Sequence, residues 1–356
     1  MEPSFKMVSG YDECSAILRD GRFGRGEDAP DESPPRQRSF LGMNPPDHTR
    51  LRRLVSHAFT PRSISELEPR IEKLAGDLVD AALAAGDVDL IAAIAAPLPV
   101  VVICELLGVP VEDRERFTAW SHAVARGLDP EDSLSAEDRA RLTRARLELR
   151  DYFAGLVAAK RQTPDDDLIS RLIAARDDGD RLTESEMIST LVLLLIAGHE
   201  TTVNLIGNGT LALLRNRDQL ALLRERPELL TDAVEELLRY DPPVSYVPRV
   251  ALEDAEVGGE PVRRGDLVVV HLNGANHDAS ASTDPDRLDV TRSPAKHLSF
   301  GAGIHFCLGA PLARLEARVA FDALLSRTAS IELAGEPVWR QNKLLHGLER
   351  LPVRLA

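Results

Sequence analysis

The sequence predicts one large, mainly α-helical domain with a minor β sheet region, and three observations carry that expectation. The chain has 356 residues, more than an average domain yet within reach of a single large one. Apolar residues make up 44 % of it and aromatics only 4 %, so Ala, Leu and Val supply a core whose residue types favour helix. Thr183 and Glu186 have capping-box spacing, each able to satisfy a free backbone amide at a helix start. The helix they open runs to about Leu214, on the order of 45 Å at 1.5 Å per residue. Its first half, Met187 to Ala197, is apolar nearly all round, which sends it through the interior.

The remaining elements follow in order. A short β-like start, Phe5 to Val8, leads into a helix ending near Arg19 and Gly21, and the Gly-, Pro- and acid-rich stretch from Gly24 to Pro35 reads as a loop. Helices are expected at roughly 47–58, 63–85, 97–107, 112–127, 136–161 and 167–176. After the long helix come others at about 217–225 and 227–240, the last stopped by Pro242 and Pro243. Val257-Gly258-Gly259-Glu260 has the composition of a hairpin turn, and Leu267 to Leu272 that of a buried strand. An irregular stretch from Asn276 to His297 precedes a Gly-rich loop and a helix starting near Leu308.

Composition excludes several classes of function. A formal net charge of −14 argues against nucleic acid as a partner, since that footprint is basic. The apolar run from Leu90 to Cys104 is too short for a bilayer and contains Pro97 and Pro99, so no membrane is expected. No basic segment followed by an apolar one opens the chain, and Cys14, Cys104 and Cys307 cannot all pair. A reducing, cytoplasmic location is the expectation.

The segment richest in chemistry is Phe300-Gly301-Ala302-Gly303-Ile304-His305-Phe306-Cys307-Leu308-Gly309. Its glycines let the backbone fold tightly and present amides to one point. Cys307 stands just before a helix with Pro311 in its first turn, where a helix N-terminus favours a thiolate able to ligate a metal. An inert buried cysteine beside a structural turn is the bland reading, and a zinc site at His305 and Cys307 lacks a second ligand pair.

This string, with Pro311-Leu312-Ala313-Arg314 after it, resembles the cysteine-ligand loop of the cytochrome P-450 family, of the soluble bacterial type. The resemblance implies a haem b cofactor with Cys307 as the axial ligand of its iron, in a fold with a long central helix above the haem and the ligand loop beneath. Phe300, Gly301, His305 and Gly309 are the other positions of the loop expected at the cofactor. Ala197-Gly198-His199-Glu200-Thr201, in the middle of the long helix, resembles the family's oxygen-binding stretch. There Ala197 and Gly198 lie at the haem, a local widening of the helix makes room for dioxygen, Thr201 hydrogen-bonds bound oxygen or an ordered water, and Glu200 helps deliver protons. Glu236-Leu237-Leu238-Arg239 resembles the family's structural acid–base pair, which the resemblance completes with Arg287 from Asp284-Pro285-Asp286-Arg287. His48 and Arg52, one helical turn apart, match propionate contacts, as do Arg249 and His305.

The resemblance covers nearly the whole chain, as one domain over residues 1–356. Most members carry roughly 40–50 further residues ahead of this start, supplying a first helix and a leading strand that this sequence lacks. Leu288 replaces the aromatic usual after the Asp-Pro-x-Arg pattern, and His277-Asp278-Ala279 departs from the common Arg-Asp-Pro, which weakens the structural stretch. Family position lines the substrate pocket with parts of residues 24–40 and with Leu194, Ala197, Val244, Val247, Leu344 and Leu345. Aliphatic walls suit an apolar or amphipathic small molecule of secondary metabolism. The implied reaction is monooxygenation of a C–H or C=C bond with O₂, the electrons coming from a ferredoxin and its NAD(P)H-dependent reductase. Arg314 and Arg318 are the candidates for a basic docking face. A peroxide-driven peroxygenase and a non-catalytic haem protein are the alternatives, the first disfavoured by the intact Glu200-Thr201 pair.

Overall fold

The computed structural model describes residues 5–26, 39–58, 60–175 and 180–356. Its helices in chain order are α1 (Tyr11–Arg19), α2 (Asp47–Ala58), α3 (Pro61–Ser65), α4 (Glu68–Ala85), α5 (Pro97–Leu107), α6 (Arg114–Arg126) and α7 (Ala136–Gln162). They continue with α8 (Leu168–Ala174), α9 (Glu184–Arg215), α10 (Arg217–Glu225), α11 (Leu230–Tyr240), α12 (Leu272–Asn276) and α13 (Ala310–Arg327). Strands are β1 (Phe5–Val8), β2 (Phe23–Gly24), β3 (Asp87–Asp89), β4 (Tyr246–Ala251), β5 (Ala255–Val257) and β6 (Glu260–Val262). Further strands are β7 (Leu267–His271), β8 (Ile331–Leu333), β9 (Val338–Trp339), β10 (Leu348–Arg350) and β11 (Pro352–Leu355).

The mainly α expectation holds, and α9 is its axis. Thr183 caps it by accepting from the Glu186 amide, while the Glu186 carboxylate accepts from the Thr183 amide at 2.8 Å. Its 32 residues span about 48 Å and pack against α5, α6, α7 and α13. Long and apolar enough to cross a membrane by composition, α9 is instead the core helix, buried along most of its length. The expected 63–85 helix is two helices, α3 and α4. Pro69 explains the break, because it lacks the amide that would bond the Ser65 carbonyl at the end of α3 and its ring crowds that carbonyl.

The β component forms small sheets. The largest has the order β1-β7-β4-β2, with β1 parallel to β7 and the other pairs antiparallel. The Gly258-Gly259 turn joins β5 to β6, both glycines at positive φ as that turn requires. Valines of β7 and β4 meet Ile17 and Leu18 of α1 in one core cluster, while α9, α11 and α13 enclose a second with Phe321 and Leu237. These two clusters flank the segment that carries Cys307.

Candidate active site

The cysteine loop is bent where the sequence requires. Gly301 and Gly303 sit at φ of +68° and +67°, and a Cβ at Gly303 would also strike the Leu18 carbonyl oxygen at 2.5 Å. The Cys307 amide donates to the Phe300 carbonyl at 2.9 Å, which closes the loop on itself. Arg314 lies over the Phe300 ring at 4.5 Å and pairs with Glu235 at 2.6 Å, and His297 reaches the same carboxylate at 3.1 Å. Glu235 of α11 therefore grips both flanks of the loop. Burial weighs against its charge, but hydrogen bonds from Arg314 and His297 outweigh it and bring the carboxyl down to about 2.

Burial pushes the Cys307 thiol up, opposed by the Gly309 and Ala310 amides and by the Arg52 and Arg314 charges. The residue is nonetheless accessible by surface area. A group deep among protein atoms yet open to a probe faces interior space. Ala197 and Thr201, one turn apart on α9, show the same behaviour: both are accessible in the middle of a helix whose other faces are buried. Thr201 donates its hydroxyl to the Ala197 carbonyl at 2.8 Å, and α9 runs unbroken past it. The expected widening shows as no π turn, α9 staying α-helical throughout, and the Thr201 side chain bonds back to the turn before it. A Cβ at Gly198 would meet Ile103 of α5 at 3.1 Å, so the glycine lets α9 pack closely on α5.

A cluster of basic groups lies beside the loop. The His48 and His305 rings are 4.2 Å apart between centroids, and Arg52 donates to the Phe306 carbonyl. Arg249 on β4 is buried and, among the described residues, hydrogen-bonds only its neighbour Pro248, at 3.1 Å. Burial first, then the crowding of like charges, brings Arg249 down to about 9, His48 to about 4 and His305 to about 2. Arg25, which sequence reasoning missed, is brought to about 10 by burial. Both His48 nitrogens and His305 Nδ1 are buried without a partner among the described residues. Orphaned donors and uncompensated cations need an anion, and two propionates fit.

The structure joins Glu236 to Arg239 and brings a different arginine to the pair. Glu236 and Arg239 are fully buried and joined at 2.7 and 2.9 Å, and Arg239 also donates to the carbonyls of Asn276 at 2.9 Å and Pro285 at 2.7 Å. The arginine that joins Glu236 is Arg292, at 3.1 Å, and not Arg287, which offers its carbonyl to Arg239 at 3.3 Å. The turn that begins at Asp284 carries the Arg287 side chain away, and Arg292 returns five residues on. The two sequence departures are absorbed. Leu288 is buried against α11 and α13, and His277 bonds Asp286 at 2.8 Å and the Tyr240 carbonyl at 2.9 Å.

Among the pocket residues, Val244 bridges Leu345, and the Ser245 amide donates to the Leu344 carbonyl at 3.0 Å. Leu194 shares their core cluster, whereas Val247 sits in the sheet opposite Val270. Residues 27–38 of the expected pocket loop lie outside the described residues. Arg314 and Arg318, expected as a free basic face, are engaged by Glu235 and Glu68. Other residues emerge only in space. Arg340 holds the buried Glu200 carboxylate at 2.5 Å, with His122 on its other oxygen at 3.5 Å. Glu316 on α13 is fully buried beside Thr202, and burial pushes its carboxyl up to about 8. Its one sequence signal was an acid between Leu315 and Ala317.

This arrangement, a thiol on a glycine-bent loop facing interior space, cations awaiting a diacid and a threonine bared on the central helix, defines a haem-thiolate oxygenase. The "Cytochrome P450" family model matches residues 3–343, and the chain belongs to that family. It is 43 % identical to the polyketide biosynthesis cytochrome P450 PksS of Bacillus subtilis, over 98 % of this chain and 89 % of that protein. It is 49 % identical to a vitamin D(3) 25-hydroxylase of Pseudonocardia autotrophica, over 88 % of this chain and 77 % of that one. The solved structure of PksS superposes with a TM-score of 0.91 at 43 % identity, covering 98 % of this chain and 90 % of that chain. P450BioI, in complex with an acyl carrier protein ligated to hexadec-9Z-enoic acid, also reaches a TM-score of 0.91, at 41 % identity over 98 % of this chain and 92 % of that one. The protein is a cytochrome P450 monooxygenase that binds haem b, O₂, a small-molecule substrate and redox partners.

Proposed function

We propose that this single domain oxygenates an apolar or amphipathic intermediate of secondary metabolism, such as a polyketide, macrolide, terpene or peptide. In the cytoplasm, electrons would come singly from a ferredoxin and its NAD(P)H-dependent reductase. The balance is substrate, O₂, two electrons and two protons giving the oxygenated product and water. Cys307 would hold the haem iron, and His48, Arg52, Arg249 and His305 its propionates; the group would supply the oxygen activation.

The rest is the work of the chain's own residues. Ala197 leaves room on the exposed face of α9, and the Thr201 hydroxyl, released from the Ala197 carbonyl, donates toward that space. Glu200 supplies the protons that Thr201 passes on. Leu194, Val244, Leu344 and Leu345 give the substrate an aliphatic wall. The observation that carries this reading is the shared accessibility of Cys307, Ala197 and Thr201 inside an otherwise buried core. Relatives support the substrate class: PksS is named for polyketide biosynthesis, and a 42 % identical protein of Saccharopolyspora erythraea is a 6-deoxyerythronolide B hydroxylase.

The first test is spectroscopic. Reduced protein under carbon monoxide should show a strongly red-shifted Soret band that Cys307→Ala abolishes; an unshifted band in the unmutated protein overturns the ligand assignment. Screening polyketides, macrolides, terpenes and peptides for spin-state shifts, then for NAD(P)H-driven products with ferredoxin and reductase, decides the substrate class.

A further inference from the structure

The Glu200 carboxylate is completely buried, so any proton it hands inward must first reach it from solvent through another group. One of its oxygens is held by Arg340, which cannot give up a proton near neutrality. The other oxygen, Oε1, has no hydrogen-bond partner. The nearest imidazole is His122 of α6, whose Nε2 stands 3.5 Å away, one small side-chain rotation from a hydrogen bond. The His122 side chain is 46 % exposed. One ring thus has an exposed edge and an edge beside a buried acid. His199 offers no such route, being itself buried, with Nδ1 2.8 Å from the Ser121 hydroxyl.

We infer that His122 is the solvent-side relay that reloads Glu200 with protons. The proposal rests on the reading of Glu200 as the acid that serves Thr201. In the step, Nε2–H of the neutral ring passes its proton to Glu200 Oε1 while Nδ1 takes one from water. The ring ends neutral in its other tautomer, and charge is conserved by the hydroxide left in solvent, neutralised by buffer. Imidazole suits this because it donates and accepts on opposite edges. Arg340 keeps the carboxylate fixed and lowers its basicity, so that the proton is passed on rather than retained.

Among the described residues, the charged or titratable groups facing the His122 ring are Glu200 and His199 from α9 and Arg340 from the C-terminal segment. Burial lowers the His122 pKa and Arg340 lowers it further, while Glu200 raises it. The ring is therefore neutral near pH 7, the form the step requires. A metal ion on His122, His199 and Glu200 would have to displace the Arg340 guanidinium, a competing cation already in place.

The test compares His122→Phe and Glu200→Gln with the unmutated protein, all loaded with haem. His122→Phe should keep the carbon monoxide spectrum and substrate spin shift. Its turnover should fall by up to about a hundredfold, the lower end for a lost proton-transfer group, with a larger solvent isotope effect. Independent of turnover, the NMR titration of the His122 ring in haem-free protein should move to lower pH in Glu200→Gln. If Glu200→Gln is impaired while His122→Phe matches the unmutated protein in rate and isotope effect, the relay is wrong and the acid stands. If Glu200→Gln is also unimpaired, both fall.

Discussion

Thr201 and Cys307 show how one side chain acquires meaning from its exposure. A threonine bonding back to a helix carbonyl is ordinary in any core, and its hydroxyl is then spent. Here the same bond lies on a face open to interior space, so the hydroxyl has somewhere else to donate. Thr201→Val should therefore leave oxygen consumption running while product per oxygen falls on the order of tenfold and hydrogen peroxide rises. Product and peroxide, quantified in the same reaction, decide it; unchanged coupling would remove Thr201 from proton delivery. At the same scale, Arg292 and Arg287 separate cleanly. Arg292→Ala leaves the buried Glu236 carboxylate short of a cation and should cost about 3–5 kcal/mol. Arg287→Ala, whose contribution is its carbonyl, should cost about 1 kcal/mol or less. Denaturant midpoints of the two variants provide the measurement.

Elements hold the site by gripping the loop that bears the cysteine. α11 contributes twice, through Glu236 to the irregular stretch ahead of the loop and through Glu235 to His297 and Arg314 on either side of it. The Glu235 carboxyl titrates at about 2 when folded, below its usual value of 4.5. Folding therefore favours its charged form. The stability this contributes is present in full above the unfolded value and is lost as pH falls from about 4.5 toward 2. Glu235→Gln should thus be less stable than the unmutated protein at pH 7, with the gap closing as the pH drops through that window. Urea midpoints taken at intervals from pH 7 to 3 provide the check, and a gap independent of pH would contradict it. The α3–α4 break belongs to this scale too: Pro69 was in plain view, but apolar periodicity ran across it.

For the molecule as a whole, cofactor and fold are coupled through charge. Arg25, Arg249, His48 and His305 are crowded together without a described acid among them, and burial drives each toward its neutral form. A dianionic ligand relieves that conflict, so it stabilises the folded state by more than its apolar contacts. Removing haem should lower the melting temperature by several degrees, and Arg249→Met should shrink the difference between loaded and haem-free protein. Differential scanning calorimetry of the four samples tests this. An equal difference in both backgrounds would show that Arg249 does not hold a propionate.

Much of this was legible in the residues alone. The ten-residue cysteine loop, the capped apolar helix and the Glu236–Arg239 spacing are local patterns, and local patterns dictate turns, caps and helix faces without help from the rest of the chain. They determined the family, the cofactor and the all-but-complete helix map. What joins distant segments was decided only by the tertiary structure. Arg340 meets Glu200 across 140 positions, His122 approaches the same carboxylate from α6, and Arg292 takes the place expected of Arg287. Such pairings depend on how helices pack and where a loop returns. Charge attraction acts through space, and spacing along the chain does not encode it.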